Sequence, residues 1–188
     1  MKASRPHLSD ARPEYLALGF LEKESLHGYE LYRRFDEDLG SVWQVSQSQM
    51  YSILKRLEAR GLIGPDSEGG GSRSKRAFRA TSEGRRRFRK WLDETSDCNS
   101  RIIRFEFIAR LYFAARSHPE KLERIMDEQE AELLRQRENH ERLLAALEPR
   151  RVSARLGLEL RIRQLACVSE WIRGSVRDLA LDKEVVRR

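Results

Sequence analysis

Gln47, Ser48, Gln49 and Tyr51, followed within two helical turns by Lys55 and Arg56, are residue types that read nucleic acid. A glutamine amide donates and accepts together and can bond adenine in bidentate fashion. Hydroxyls of serine and tyrosine reach base edges or phosphates, and lysine and arginine neutralise phosphates. A second group of cations, Arg73, Lys75 and Arg76, lies beside Gly69-Gly70-Gly71, a flexible tip that can carry them to phosphates or into a minor groove. Catalytic chemistry has no comparable marks. There is no P-loop, GxGxxG or Ser/His/Asp grouping, and the histidines (His7, His27, His118, His140) stand apart from any ligand set. The chain is therefore expected to be no enzyme, and to need no metal or cofactor.

Helical punctuation surrounds the first group. Ser46 and Gln49 have the spacing of a capping box. Met50, Ile53, Leu54 and Leu57 then recur at i, i+3, i+4, i+7, which buries one face and exposes the other. Gly61 stops that helix. Two helices precede it: one from about Glu14 to Lys23, with Pro13 at its start and Leu16, Phe20 and Leu21 on one side; the next opened by Ser25 or His27, with Leu31, Phe35 and Leu39 inward and Gly40 at its end. After it, Leu62-Ile63 and Arg73–Thr81 flank the glycine-rich stretch as a hairpin, and Thr81 or Ser82 caps a helix through Phe88, Trp91 and Leu92. Three helices, a hairpin and a helix make a winged helix-turn-helix, whose third helix is narrow and polar enough for a major groove about 12 Å wide.

Charge supports that placement. Residues 41–92 hold twelve Lys/Arg against four Asp/Glu, a net +8 in a chain of +7, so the excess is confined to this half. Concentrated positive charge is the footprint of a polyanion-binding surface. Of its parts, Arg85-Arg86-Arg87 reads first as a solvated helix face and second as a phosphate contact. Lys55 can pair with Glu58 instead of phosphate, Gln49 can serve the cap instead of a base, and Tyr51 can pack between helix and wing. No apolar run spans a membrane and the N-terminus lacks a secretory core, which predicts a cytoplasmic protein, nucleoid-associated when bound to DNA. Cys98 and Cys167, far apart, read as free thiols, with a redox role for Cys98 as the alternative.

A polar stretch at 93–100 separates residues 1–95, the DNA-binding domain, from residues 96–188, a helical dimerisation domain. Ile102 to Phe113 is apolar nearly all round and must be covered on most sides. Two long charged helices follow. One, from Pro119, carries Leu122, Met126, Leu133, His140, Leu144 and Leu147. The other, after Pro149, carries Leu158, Ile162, Leu165, Ile172, Val176 and Leu179. Narrow stripes of this kind suit helix pairing, and a second subunit covers the rest. Phe107, Ile108, Leu111, Leu165 and Ile172 are the expected dimer interface. Phe105, Tyr112 and Trp171 are candidate walls of an effector pocket, beside the plainer reading of a dimer core without ligand.

Leu26-His27-Gly28-Tyr29-Glu30-Leu31, Val45 to Tyr51, and Leu54-Lys55-Arg56-Leu57-Glu58-Ala59-Arg60-Gly61-Leu62-Ile63 together resemble the PadR family of bacterial transcription regulators. The run Lys75 to Gly84 extends the resemblance, and the Arg101-to-Pro119 helix with Glu170-Trp171 is similar to the longer subfamily, so nearly the whole chain is covered. The resemblance implies a homodimer with exchanged C-terminal helices, two wings on a pseudo-palindromic operator in double-stranded DNA, repression more often than activation, and in some members a small aromatic or drug-like effector. Where the family often has Pro-Gly-Ser, this chain has Gln47-Ser48-Gln49, and it has Ser52 where a proline is common. Both departures fall on the exposed face of the reading helix and bear on the operator rather than the fold. The competing class is a helical scaffold or adaptor that binds protein through its winged domain and long helices.

Overall fold

Pro13 has a preset φ and no amide to lose, and it begins α1 (Pro13–Phe20). The computed structural model describes residues 12–66 and 76–178. Leu16, Ala17, Leu18, Gly19 and Phe20 are all buried, so α1 is a central helix rather than the one-sided element expected, and it ends short of Lys23. Next come β1 (Leu26–His27) and α2 (Gly28–Leu39), which buries Leu31, Phe35 and Leu39. His27 holds the capping position, its backbone N–H donating to the Glu30 carboxylate at 3.0 Å. Gly40 follows α2 with φ −61°, so it ends the helix without a left-handed turn.

α3 (Gln47–Ala59) buries Met50, Ile53, Leu54 and Leu57 against α1 and α2. At roughly 1.5–3 kcal/mol for each side chain removed from water, that stripe fixes which face of α3 is left outside. Gly61, at φ +66°, makes the turn that ends it. β2 (Ile63–Pro65) pairs antiparallel with β3 (Ala77–Ala80) in the register Ile63↔Ala80, Gly64↔Arg79, Pro65↔Phe78. β1 adds to the far side of β3, with Leu26 opposite Phe78, giving the order β1-β3-β2. That third strand was not expected. α4 (Ser82–Asp93) is capped by the Thr81 hydroxyl, which accepts from the Gly84 N–H at 3.1 Å, and it buries Phe88, Trp91 and Leu92. Gly84 sits where a Cβ would lie 2.0 Å from the Leu62 carbonyl oxygen, so only glycine lets α4 dock on the strand start.

The chain divides into two units between Glu94 and Thr95. In the second, α5 (Ser100–Ile102), a π turn (Ile103–Phe107) and α6 (Ile108–Ser117) run on as one helical stretch. A 3₁₀ turn (Pro119–Lys121) leads into α7 (Leu122–Ala146), and α8 (Val152–Trp171) continues into a second π turn (Ile172–Val176). α7 and α8 form an antiparallel hairpin. Arg155 donates to the Leu144 and Leu147 carbonyls at its turn, while Arg173 pairs with Glu130 and Arg177 with Asp127 at its open end. The buried residues of α7 stop at Leu133.

The stretch expected to be a plain polar linker is docked. The Ser96 N–H donates to Gln129 Oε1 at 2.8 Å and Gln129 Nε2 returns a bond to the Ser96 carbonyl at 3.0 Å, both buried. Cys98 lies buried beside them, and burial first, then Glu132 and Asp97, pushes its thiol up to about 12. A buried thiol held protonated is a poor nucleophile, which disfavours a redox role at Cys98. Cys167 is free and exposed. Among the described residues no helix is long and apolar enough to cross a membrane, and no cluster of His, Cys, Asp and Glu could hold a metal ion.

Candidate nucleic-acid interface

The site is built on the first turns of α3. The Gln49 N–H donates to Ser46 Oγ at 3.3 Å and the Ser46 N–H donates to Gln49 Oε1 at 2.8 Å, closing the capping box. Gln49 thus has its side-chain oxygen committed to the cap, the alternative that spacing alone left open. Ser48 Oγ lies 3.1 Å from Ser46 Oγ, and Ser52 Oγ donates to the Ser48 carbonyl at 3.0 Å. Gln47, Ser48, Tyr51, Ser52 and Lys55 are all exposed. At 3.6 residues per turn they form one stripe facing away from the buried side chains. That stripe is neutral apart from Lys55.

Tyr51 packs on the start of α2, where a Cβ on Gly28 would come 2.7 Å from Tyr51 Cε1. Glycine at 28 therefore gives the ring its seat, and the side chain remains about half exposed, at 47%.

The expected phosphate contacts divide. Lys55, which could have paired with Glu58, makes no ion pair with a described residue; Glu58 is taken instead by Arg76, at 3.0 Å. Arg56 Nη2 meets Glu14 Oε1 of α1, also at 3.0 Å. Arg73 and Lys75, with the glycine-rich tip, lie outside the described residues. On α4, Arg86 and Arg87 both donate to Glu83 at 2.8 Å, Arg89 reaches Glu22 at 2.7 Å, and Arg85 donates to the Ala80 carbonyl at 2.7 Å. The Arg86 fork first, then Arg87, lowers the Glu83 carboxyl to about 2. The basic run 85–87 is thus occupied within the fold, in keeping with its reading as a solvated face.

In the second unit Phe107, Leu165 and Ile172 are 0%, 1% and 0% exposed, so a single chain already covers them and they offer no surface to a partner. Ile108 and Leu111, the other expected interface residues, are half-buried. Of the candidate pocket residues, Trp171 sets its ring edge-on to Phe107 at 6.2 Å, and Tyr112 meets Phe113 at 5.0 Å. Phe105 carries the Arg104 guanidinium 4.7 Å above its ring. The three lie on one helical stretch and the end of another.

The capped reading helix, the helices packed behind it and the hairpin beyond it define a winged helix-turn-helix. Residues 17–90 match the model of the Transcriptional regulator PadR-like family, and the chain carries that family's domain. The chain is 29% identical over 141 residues to the negative transcriptional regulator PadR of Bacillus subtilis, covering 72% of this chain and 77% of that one. Solved structures of Bacillus subtilis PadR in complex with operator DNA and in complex with p-coumaric acid each resemble it at 22% identity and a TM-score of 0.42, over 89% of this chain and 98% of that one.

Proposed function

We propose that the chain is a sequence-specific, double-stranded-DNA-binding repressor that acts in the cytoplasm as a homodimer on a pseudo-palindromic operator. The observation that carries this reading is the exposed stripe of α3, a preorganised helix start with Gln47, Ser48 and Tyr51 outward and a stripe of four apolar side chains behind. Gln47 and Ser48 read base edges, Lys55 and Tyr51 hold phosphate, and Arg73, Lys75 and Arg76 supply the wing contact. Gln49 serves the cap. Repression follows the B. subtilis relative, a negative regulator.

The dimer rests on the far half of the α7/α8 hairpin. Leu143, Val152, Leu156 and Leu160 are 51–60% exposed, and the three on α8 recur every four residues as one stripe. A second copy covers it and sets the spacing of two reading heads. A small aromatic effector is taken by the second unit, where Phe105, Tyr112 and Trp171 offer rings and Arg104 a cation. The p-coumaric acid bound by the B. subtilis protein supports that class of ligand.

Selection of bound sites from random DNA tests the reading. The expected consensus has twofold symmetry with half-site centres about one helical turn, roughly 34 Å, apart. A consensus without symmetry overturns the homodimer, and binding that does not weaken with salt overturns DNA as the partner in favour of an adaptor.

A further inference from the structure

We propose that Glu14 and Glu58 are built-in attenuators of DNA affinity: two carboxylates that occupy the arginines on either side of the reading stripe and restrain their grip on phosphate. The inference rests on the DNA-binding reading above.

Arg56 and Glu58 are two residues apart on α3, and two steps of about 100° place them on opposite sides of the helix. Between them, on the exposed side, lie Ser48, Tyr51, Ser52 and Lys55, with Gln47 nearly in line with Glu58. One edge of this stripe ends in Arg56 bound to Glu14 and the other in Glu58 bound to Arg76, each at 3.0 Å. Neither is a local helical pair. Glu14 comes from α1, 42 residues away, and Arg76 stands at the start of the strand that leads back from the wing. Both pairs are open to water, with side chains 54% and 26% exposed in the first and 37% and 39% in the second. Exposed pairs add little to stability, so bracing the fold is a weak account of them. Their position beside the reading stripe gives a stronger one.

Non-specific affinity for DNA comes almost wholly from cations that displace counterions from phosphate. An arginine held by a carboxylate has to leave it before it can do so, and the carboxylate left behind repels the same phosphates. With both arginines restrained, Lys55 is the cation of the stripe without such a partner among the described residues, and binding leans on the neutral side chains that contact bases. Random DNA, which offers only phosphates, holds such a head loosely.

The test uses the full chain and a random-sequence duplex, with affinity measured by fluorescence anisotropy from about 50 to 200 mM salt. Glu14→Gln and Glu58→Gln are each expected to tighten binding roughly fivefold near 0.1 M salt, and to steepen the salt slope by about one unit per freed arginine. Glu58→Gln is expected to have no such effect in an Arg76→Gln background, nor Glu14→Gln in an Arg56→Gln background. Unchanged or weaker binding by both glutamine variants, with folding intact by circular dichroism, overturns the proposal and makes the carboxylates supports for the arginines. The two pairs are read separately, so a folding defect in one variant leaves the other decisive. If the unmodified chain binds no duplex in a salt-dependent way, the DNA-binding reading itself fails.

Discussion

α3 and α4 are near twins in construction. They are 13 and 12 residues long, each starts on a hydroxyl that caps the amide three residues on, and each buries a stripe in the first unit. Their outer faces differ in a way that reverses the ranking by charge. α4 carries Arg85, Arg86, Arg87, Arg89 and Lys90, yet four of these five are spent on Glu83, Glu22 and the Ala80 carbonyl. α3 has only Lys55 and Arg56, and its outer face is mostly neutral hydrogen-bonding groups. On the proposed function, cation density marks the region that meets DNA, and open hydrogen-bonding groups on a capped helix mark the element that reads it.

The largest break in this comparison comes from the two close-packed glycines. Gly84→Ala drives a Cβ to 2.0 Å from the Leu62 carbonyl oxygen, a backbone atom that cannot swing aside, so α4 must move. A loss of about 3 kcal/mol is expected by chemical denaturation. Gly28→Ala meets the edge of the Tyr51 ring at 2.7 Å, and a half-exposed side chain can turn away. Its cost in stability is expected to stay near 1 kcal/mol, with DNA affinity reduced by displacement of Tyr51. Equal destabilisation by the two substitutions would show that Tyr51 is as fixed as backbone.

Next come the caps. Ser46→Ala and Thr81→Ala should each cost roughly 1 kcal/mol, read as a drop in Tm. Only Ser46→Ala should also weaken operator binding, because it frees the turn that holds Gln47 and Ser48. If Thr81→Ala weakens binding as much per unit of stability lost, α3 has no privileged role. Smaller still is the effect on salt dependence. Lys55→Ala should reduce the slope of log affinity against log salt by about one unit per subunit, and Arg87→Ala should leave it unchanged.

Local features of the first unit were legible because they repeat at short spacing. Ser46 with Gln49, the Met50-to-Leu57 stripe, and Thr81 ahead of Phe88 all depend on residues within two helical turns. β1 was not, since two residues without alternation form a strand only because β3 has a free edge beside them. The carboxylate pairs escaped for a similar reason. Spacing pointed to Lys55 with Glu58, whereas Glu58 finds Arg76 and Arg56 finds Glu14 from other elements. In the second unit the π turn at Ile103–Phe107 adds a residue to one turn of helix, which shifts every later position relative to a 3.6-residue wheel. α8 is apolar on more than one side, and sequence cannot tell which side its own chain covers. Leu165 and Ile172 went inward, and Val152, Leu156 and Leu160 were left out.

The smallest expected effect tests whether α4's cations are truly occupied. The Glu83 carboxyl stands at about 2 in the fold against 4.5 unpaired, because Arg86 and Arg87 hold its charged form. A depressed carboxylate contributes stability above its unfolded pKa and loses that contribution as pH falls through the folded value. The acid limb of the Tm–pH curve should therefore fall between about 4.5 and 2, and Glu83→Gln should make it shallower there while leaving the curve's shape near neutrality unaltered. Glu83 is exposed, so water and salt screen the pair and the difference should fade as ionic strength rises. Parallel acid limbs at low salt would mean that Arg86 and Arg87 spend their time in solvent. They would then be available to phosphate, and the contrast between α3 and α4 would rest on geometry alone.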